Sequence, residues 1–109
     1  MLPRYANELL TRLERVVQIG CAEVRKQELL WWYDQERVTV SIWRDIQQKW
    51  QDELLGDKLG WEPDDAPLLV GYDGEGRYVL VWGEGLSTDD AWLKDARTLA
   101  RRDTEEDDA

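Results

Sequence analysis

Apolar residues recur at steps of three or four near the N-terminus, where Leu10, Leu13, Val17, Gly20 and Val24 form one helical stripe behind Pro3. This predicts a helix over residues 3–26. Glycine inside a helix costs about 1 kcal/mol relative to alanine, so Gly20 marks a kink, a break or an early end. The period then changes. Leu29-Leu30-Trp31-Trp32-Tyr33, the turn-like Asp34-Gln35-Glu36, and a segment in which Val38, Val40 and Ile42 alternate with polar residues read as a β-hairpin. A competing reading runs the helix on through residue 35; β-branched and aromatic enrichment favours strands.

Ser41 is placed to cap a helix over 42–55 whose residues Trp43, Ile46, Trp50 and Leu54 share a face, with Gly56 at its C-cap. Residues 57–67 read as a loop pinned to the core by Leu59 and Trp61. A second hairpin follows, with Leu68–Tyr72 and Arg77–Trp82 as strands and Asp73-Gly74-Glu75-Gly76 as the turn. Ser87 or Thr88 then caps a last helix that buries Trp92, Ala96 and Leu99, with Asp89 and Asp90 at its positive end and Arg101 and Arg102 at its negative end. The predicted order is α-ββ-α-ββ-α. It describes a single small α+β domain over residues 1–102, an antiparallel sheet with helices packed mainly on one face, and a disordered acidic tail over 103–109.

Composition narrows the chemistry. The 109 residues carry 24 acidic and 14 basic side chains, a formal net charge of -10, with no histidine and one cysteine. A chain of this length can bury a modest core without disulfides or metal. Imidazole-based triads and zinc sites lack their parts. The lone Cys21 cannot form an intramolecular disulfide, and no charged-then-apolar leader opens the chain, so a cytoplasmic location is expected. Apolar runs such as Leu29–Tyr33 are too short for a membrane span, and an acidic surface is repelled by anionic lipid. Charge is also uneven: residues 1–56 carry net -1, residues 57–102 net -4 and residues 103–109 net -5.

Catalytic and cofactor motifs are weak. Gly83-x-Gly85-x-x-Thr88 sits where a phosphate-binding loop would, yet Glu84, Asp89 and Asp90 would repel phosphate and the third glycine is missing. Asp64 followed by Glu75-Gly76-Arg77 loosely imitates a metal-dependent nuclease, but Glu75 falls in a hairpin tip and arginine manages protons poorly. Paired acids such as Asp64/Asp65 arise by chance in so acidic a chain. Neither a cofactor nor a metal is expected, and the reading is non-enzymatic. A carboxylate-based metal-dependent enzyme ranks third among the function classes.

Seven tryptophans without any phenylalanine are unusual. Trp43, Trp50 and Trp92 read as core, whereas one of Trp31 and Trp32 should be exposed, and Trp61 and Trp82 are placed for partial exposure. A winged-helix transcription regulator is the second function class, because a helix at 42–55 precedes a hairpin. Its recognition helix would carry Arg44 and Lys49 among Asp45, Asp52 and Glu53, and the net charge disfavours direct nucleic-acid binding.

Leu68–Arg102, a strand, an Asp-Gly turn, a strand, Leu-Ser-Thr and an acid-capped helix, resembles the C-terminal part of small acidic type III secretion chaperones over about a third of the chain. That resemblance implies binding of an unfolded effector segment. Small acidic phage inhibitors and DNA mimics share the size and charge. The first-ranked expectation is therefore a non-catalytic acidic module, acting as inhibitor, adaptor or chaperone on a partner protein with a basic surface. Its expected contact residues are Trp31, Trp32, Trp61, Asp64, Asp65, Asp73, Glu75 and Glu84; a homodimer through Trp31 or Trp32 is left open.

Overall fold

The computed structural model describes residues 1–86 and 93–101. Helix α1 spans Pro3–Ile19 and stops where Gly20 turns left-handed at φ 97, donating its N–H to the Val16 carbonyl. The chain turns directly into strand β1, Cys21–Arg25. The early end is the one glycine permits, and it moves Val24 from a helix to a strand. Leu9, Leu13 and Val16 are the fully buried stripe, with Leu10 and Val17 on its flank, one position away from the predicted centre.

Residues 26–42 depart most from the sequence reading. Lys26–Tyr33 form helix α2, with Leu29 and Trp32 buried at i and i+3. Val40 and Ile42 lie in the first turn of helix α3, Val40–Gln48, so their alternation is a helix start and not a strand. The reason is tertiary. β1 already occupies the β3 edge that a first hairpin would need, and Glu28 caps α2 by accepting the Arg25 backbone N–H at 2.9 Å. Thr39, rather than Ser41, stands at the N-cap of α3.

α3 continues without a break into a π-helical segment, Lys49–Leu59, and runs through Gly56. The left-handed cap is Gly60, at φ 70. The wider i→i+5 turn lets the adjacent Leu54 and Leu55 both be buried beside Trp50. Trp50 is fully buried and donates its indole N–H to the Ala66 carbonyl at 3.0 Å, which ties the 60–67 loop to the core.

Strands β2, Leu68–Tyr72, and β3, Arg77–Trp82, form the predicted hairpin in register Leu68↔Trp82 through Tyr72↔Tyr78. β4, Lys94–Asp95, pairs with β2 before helix α4, Ala96–Arg101. The last helix therefore starts later among the described residues than predicted, because backbone pairing with β2 claims residues 94–95. Its predicted caps Ser87 and Thr88, its Trp92, and the tail at 103–109 lie outside the described residues. The sheet is antiparallel with order β1-β3-β2-β4. Ala22, Val24, Leu68, Val70, Tyr78, Leu80 and Trp82 share one face, and the buried residues of all four helices join them there. The expected α+β class, with helices on one side of the sheet, is what forms.

β1 is an edge strand. Of its outward backbone groups, the Glu23 carbonyl accepts from Arg12 and the Arg25 N–H is held by Glu28; Arg12 and Glu28 in turn pair at 2.7 Å. These contacts blunt an edge that would otherwise recruit another strand. At the opposite end of β3, Gly83 is required by close approach: a Cβ there would collide with the Pro67 carbonyl and reach within 2.9 Å of Leu69 Cγ.

Two outcomes follow. Trp50→Phe should lower unfolding free energy by about 1–3 kcal/mol in urea denaturation, because it orphans the buried Ala66 carbonyl. The Arg12 guanidinium holds the Glu28 carboxyl below the usual carboxylate range, chiefly by hydrogen bonding. Its stabilising share is complete above the ordinary glutamate pKa of about 4.3 and is lost as pH falls through the lower folded value. The stability gap between wild type and Glu28→Gln should therefore narrow as pH is lowered from 6 toward 3.

Candidate functional site

The predicted contact residues separate into three places. Trp61, Asp65 and Glu84 converge on one open cavity of about 310 Å³. Asp73 and Glu75 occupy the β2–β3 turn, about 17 Å of strand away from that cavity. Trp31 and Trp32 are adjacent on α2, Trp31 at 71% exposure and Trp32 buried. The expectation of one exposed member holds, on a helix rather than a strand.

The cavity is built from the core outward. Trp50 meets the Trp82 ring edge-on, with centroids 5.9 Å apart, and Trp82 meets Trp61 at 5.5 Å with a 55° tilt. Trp82 donates its indole N–H to Glu84 Oε1 at 3.1 Å, so the same ring that supports Trp61 also orients a wall carboxylate. On the other side, the Trp61 backbone N–H donates to the Leu55 carbonyl, and Asp65 Oδ2 accepts the Glu62 backbone N–H at 2.9 Å. These bonds close the 62–65 turn and fix Asp65 beside the indole. Trp61 remains 37% exposed.

Charge at this end is unevenly paired. Asp64 is engaged by Arg97, which also holds Asp95 at 2.8 Å. Asp65 and Glu84 have no ion-pair partner among the described residues. An indole flanked by two such carboxylates attracts a cation through both the ring face and charge-assisted hydrogen bonds. Among the described residues, no three potential ligands gather to hold a metal ion.

Asp73 serves its own turn. Its Oδ1 accepts the backbone N–H groups of Glu75 at 2.7 Å and Arg77 at 3.1 Å, which hold its carboxyl below the ordinary range. Glu75 is exposed at the tip. The two cations of the winged-helix alternative are both engaged: Arg44 Nε donates to the Ala100 carbonyl at 3.0 Å, and Lys49 pairs with Asp45 at 3.0 Å.

A second cavity, of about 430 Å³, lies between α1 and α2 and is lined by Met1, Leu2, Tyr5, Trp31, Trp32 and Asp34. Trp31 donates its indole N–H to Tyr5 Oη at 2.8 Å, and the Arg4 guanidinium lies 5.0 Å over the Tyr5 ring. Hydrogen bonding from Arg4, reinforced by Trp31, pulls the Tyr5 phenol below its ordinary pKa.

Sequence reasoning missed Tyr5 and Leu2 as surface residues beside Trp31, and Trp82 as the support of Trp61. Strand alternation could place Trp82 on the core face, and only the folded loop reveals what its outer edge touches. Among the described residues, no helix is long and apolar enough to cross a membrane. No family model, no curated protein and no solved structure matches the chain.

Proposed function

We propose that this chain is a non-catalytic binding module, an inhibitor or adaptor, that docks a partner protein through a basic side chain received between Trp61, Asp65 and Glu84. The observation that carries the reading is the cavity itself: a supported indole and two carboxylates with no ion-pair partner among the described residues, around one opening. Residues 57–109 carry 6 basic and 15 acidic groups, so the half of the chain that contributes this cavity also supplies the field that steers a basic partner toward it.

The indole supplies affinity and the carboxylates supply orientation. A guanidinium or ammonium stacked on Trp61 keeps ring contact while its N–H groups reach Asp65 and Glu84. Because Trp82 holds Glu84 and the 62–65 turn holds Asp65, little side-chain freedom remains to be lost on binding.

An oligo-arginine peptide should bind the wild type and release as salt is raised. Trp61→Ala and Glu84→Gln should each weaken binding by about 1–2 kcal/mol, roughly 5- to 30-fold. Glu75→Gln, at the far end of the hairpin, should leave it nearly unchanged. Fluorescence anisotropy of a labelled peptide reads all three. Equal losses for Glu84→Gln and Glu75→Gln with none for Trp61→Ala would reduce the interaction to diffuse charge and overturn the cavity reading.

A further inference from the structure

The α1–α2 cavity has a different character from the acidic one. Trp31 is the most exposed large apolar side chain among the described residues, at 71%, and it adjoins Met1 and Leu2, each at 50%. Its bond to Tyr5 fixes the indole in that outward position, so docking it costs little side-chain entropy. Such a pinned, exposed tryptophan beside an apolar recess has the form of an interface anchor.

Charge decides what covers it. Residues 1–34 carry 5 basic and 5 acidic side chains, net zero, whereas residues 35–109 carry 9 and 19 and hold the whole excess. A basic partner is drawn to the other end, and an anionic membrane finds no cationic stripe here. For a second copy of this chain the situation reverses: two molecules of charge -10 repel, and local repulsion is least where the segment of zero net charge, residues 1–34, meets its own copy. The face is also self-complementary in sign, with exposed Arg4 against Tyr5 on α1 and exposed Asp34 at the end of α2. A two-fold axis can set Arg4 of each copy against Asp34 of the other, with each Trp31 entering the opposite recess.

We propose that the chain forms a homodimer through the Trp31, Tyr5 and Leu2 face, flanked by reciprocal Arg4–Asp34 pairs. The dimer leaves both acidic cavities free, so one particle presents two cation sites. Its salt dependence is opposite to that of basic-partner binding: added salt screens the repulsion between the acidic ends and strengthens the apolar contact.

Sedimentation equilibrium of the full chain at low and high salt tests this. The wild type should move from 12.8 kDa toward twice that mass as concentration rises, and do so more readily at higher salt. Trp31→Ala should weaken association about tenfold or more while circular dichroism stays native, because the side chain is outside the core. Arg4→Glu should weaken it, and the exchange Arg4→Glu with Asp34→Arg should restore it. A wild type that stays monomeric at every concentration and salt overturns the proposal. So does a dimer indifferent to Trp31→Ala, which would place the contact elsewhere, or co-sedimentation of wild type with lipid vesicles in place of self-association.

Discussion

The interaction on which the rest of the structure depends is the buried indole of Trp50. A fully buried tryptophan must place its N–H as well as its rings, and Trp50 meets both demands across three segments. Its N–H bonds the Ala66 carbonyl, which draws the loop after the π-helical segment over the core. Its ring supports Trp82, and Trp82 supports Trp61. The outermost of these rings is the floor of the acidic cavity. A surface feature is thereby held through aromatic contacts and hydrogen bonds, not by the loop alone.

The chain separates its charge and its apolar surface along its length. The N-terminal third is neutral and presents Trp31, while the remainder holds the acidic excess and presents Trp61. In the proposed account these are two interfaces with opposite responses to salt. Two outward backbone groups of β1, the Glu23 carbonyl and the Arg25 N–H, are meanwhile engaged by Arg12 and Glu28.

How far the sequence carries can be traced residue by residue. The 68–82 hairpin was legible because Asp-Gly-x-Gly lies between two apolar runs, and the face Trp43, Ile46, Trp50, Leu54 because its spacing is helical. Residues 29–42 were not, since Leu-Leu-Trp-Trp-Tyr serves a strand or a helix equally and the occupancy of the β3 edge decided between them. Gly56 looked like a helix stop, but a wider turn absorbed it and Gly60 took the cap. Lys94–Asp95 carries no strand signal because its pairing is made by backbone alone. For the candidate site, Trp61, Asp65 and Glu84 were recognisable as residue types suited to a basic partner. Their convergence depended on loop closure over Trp50, a long-range event that local pattern does not encode.

The seven indole N–H groups provide the most direct test, since each reports its own surroundings in a ¹H–¹⁵N NMR spectrum. Adding a basic peptide should shift the Trp61 and Trp82 indole signals together and leave that of Trp31 in place, because Trp61 lines the cavity, Trp82 bonds its Glu84 wall, and Trp31 lies at the α1–α2 recess. A spectrum in which Trp31 moves while Trp61 and Trp82 stay still would contradict the account, placing basic-partner recognition on the N-terminal face.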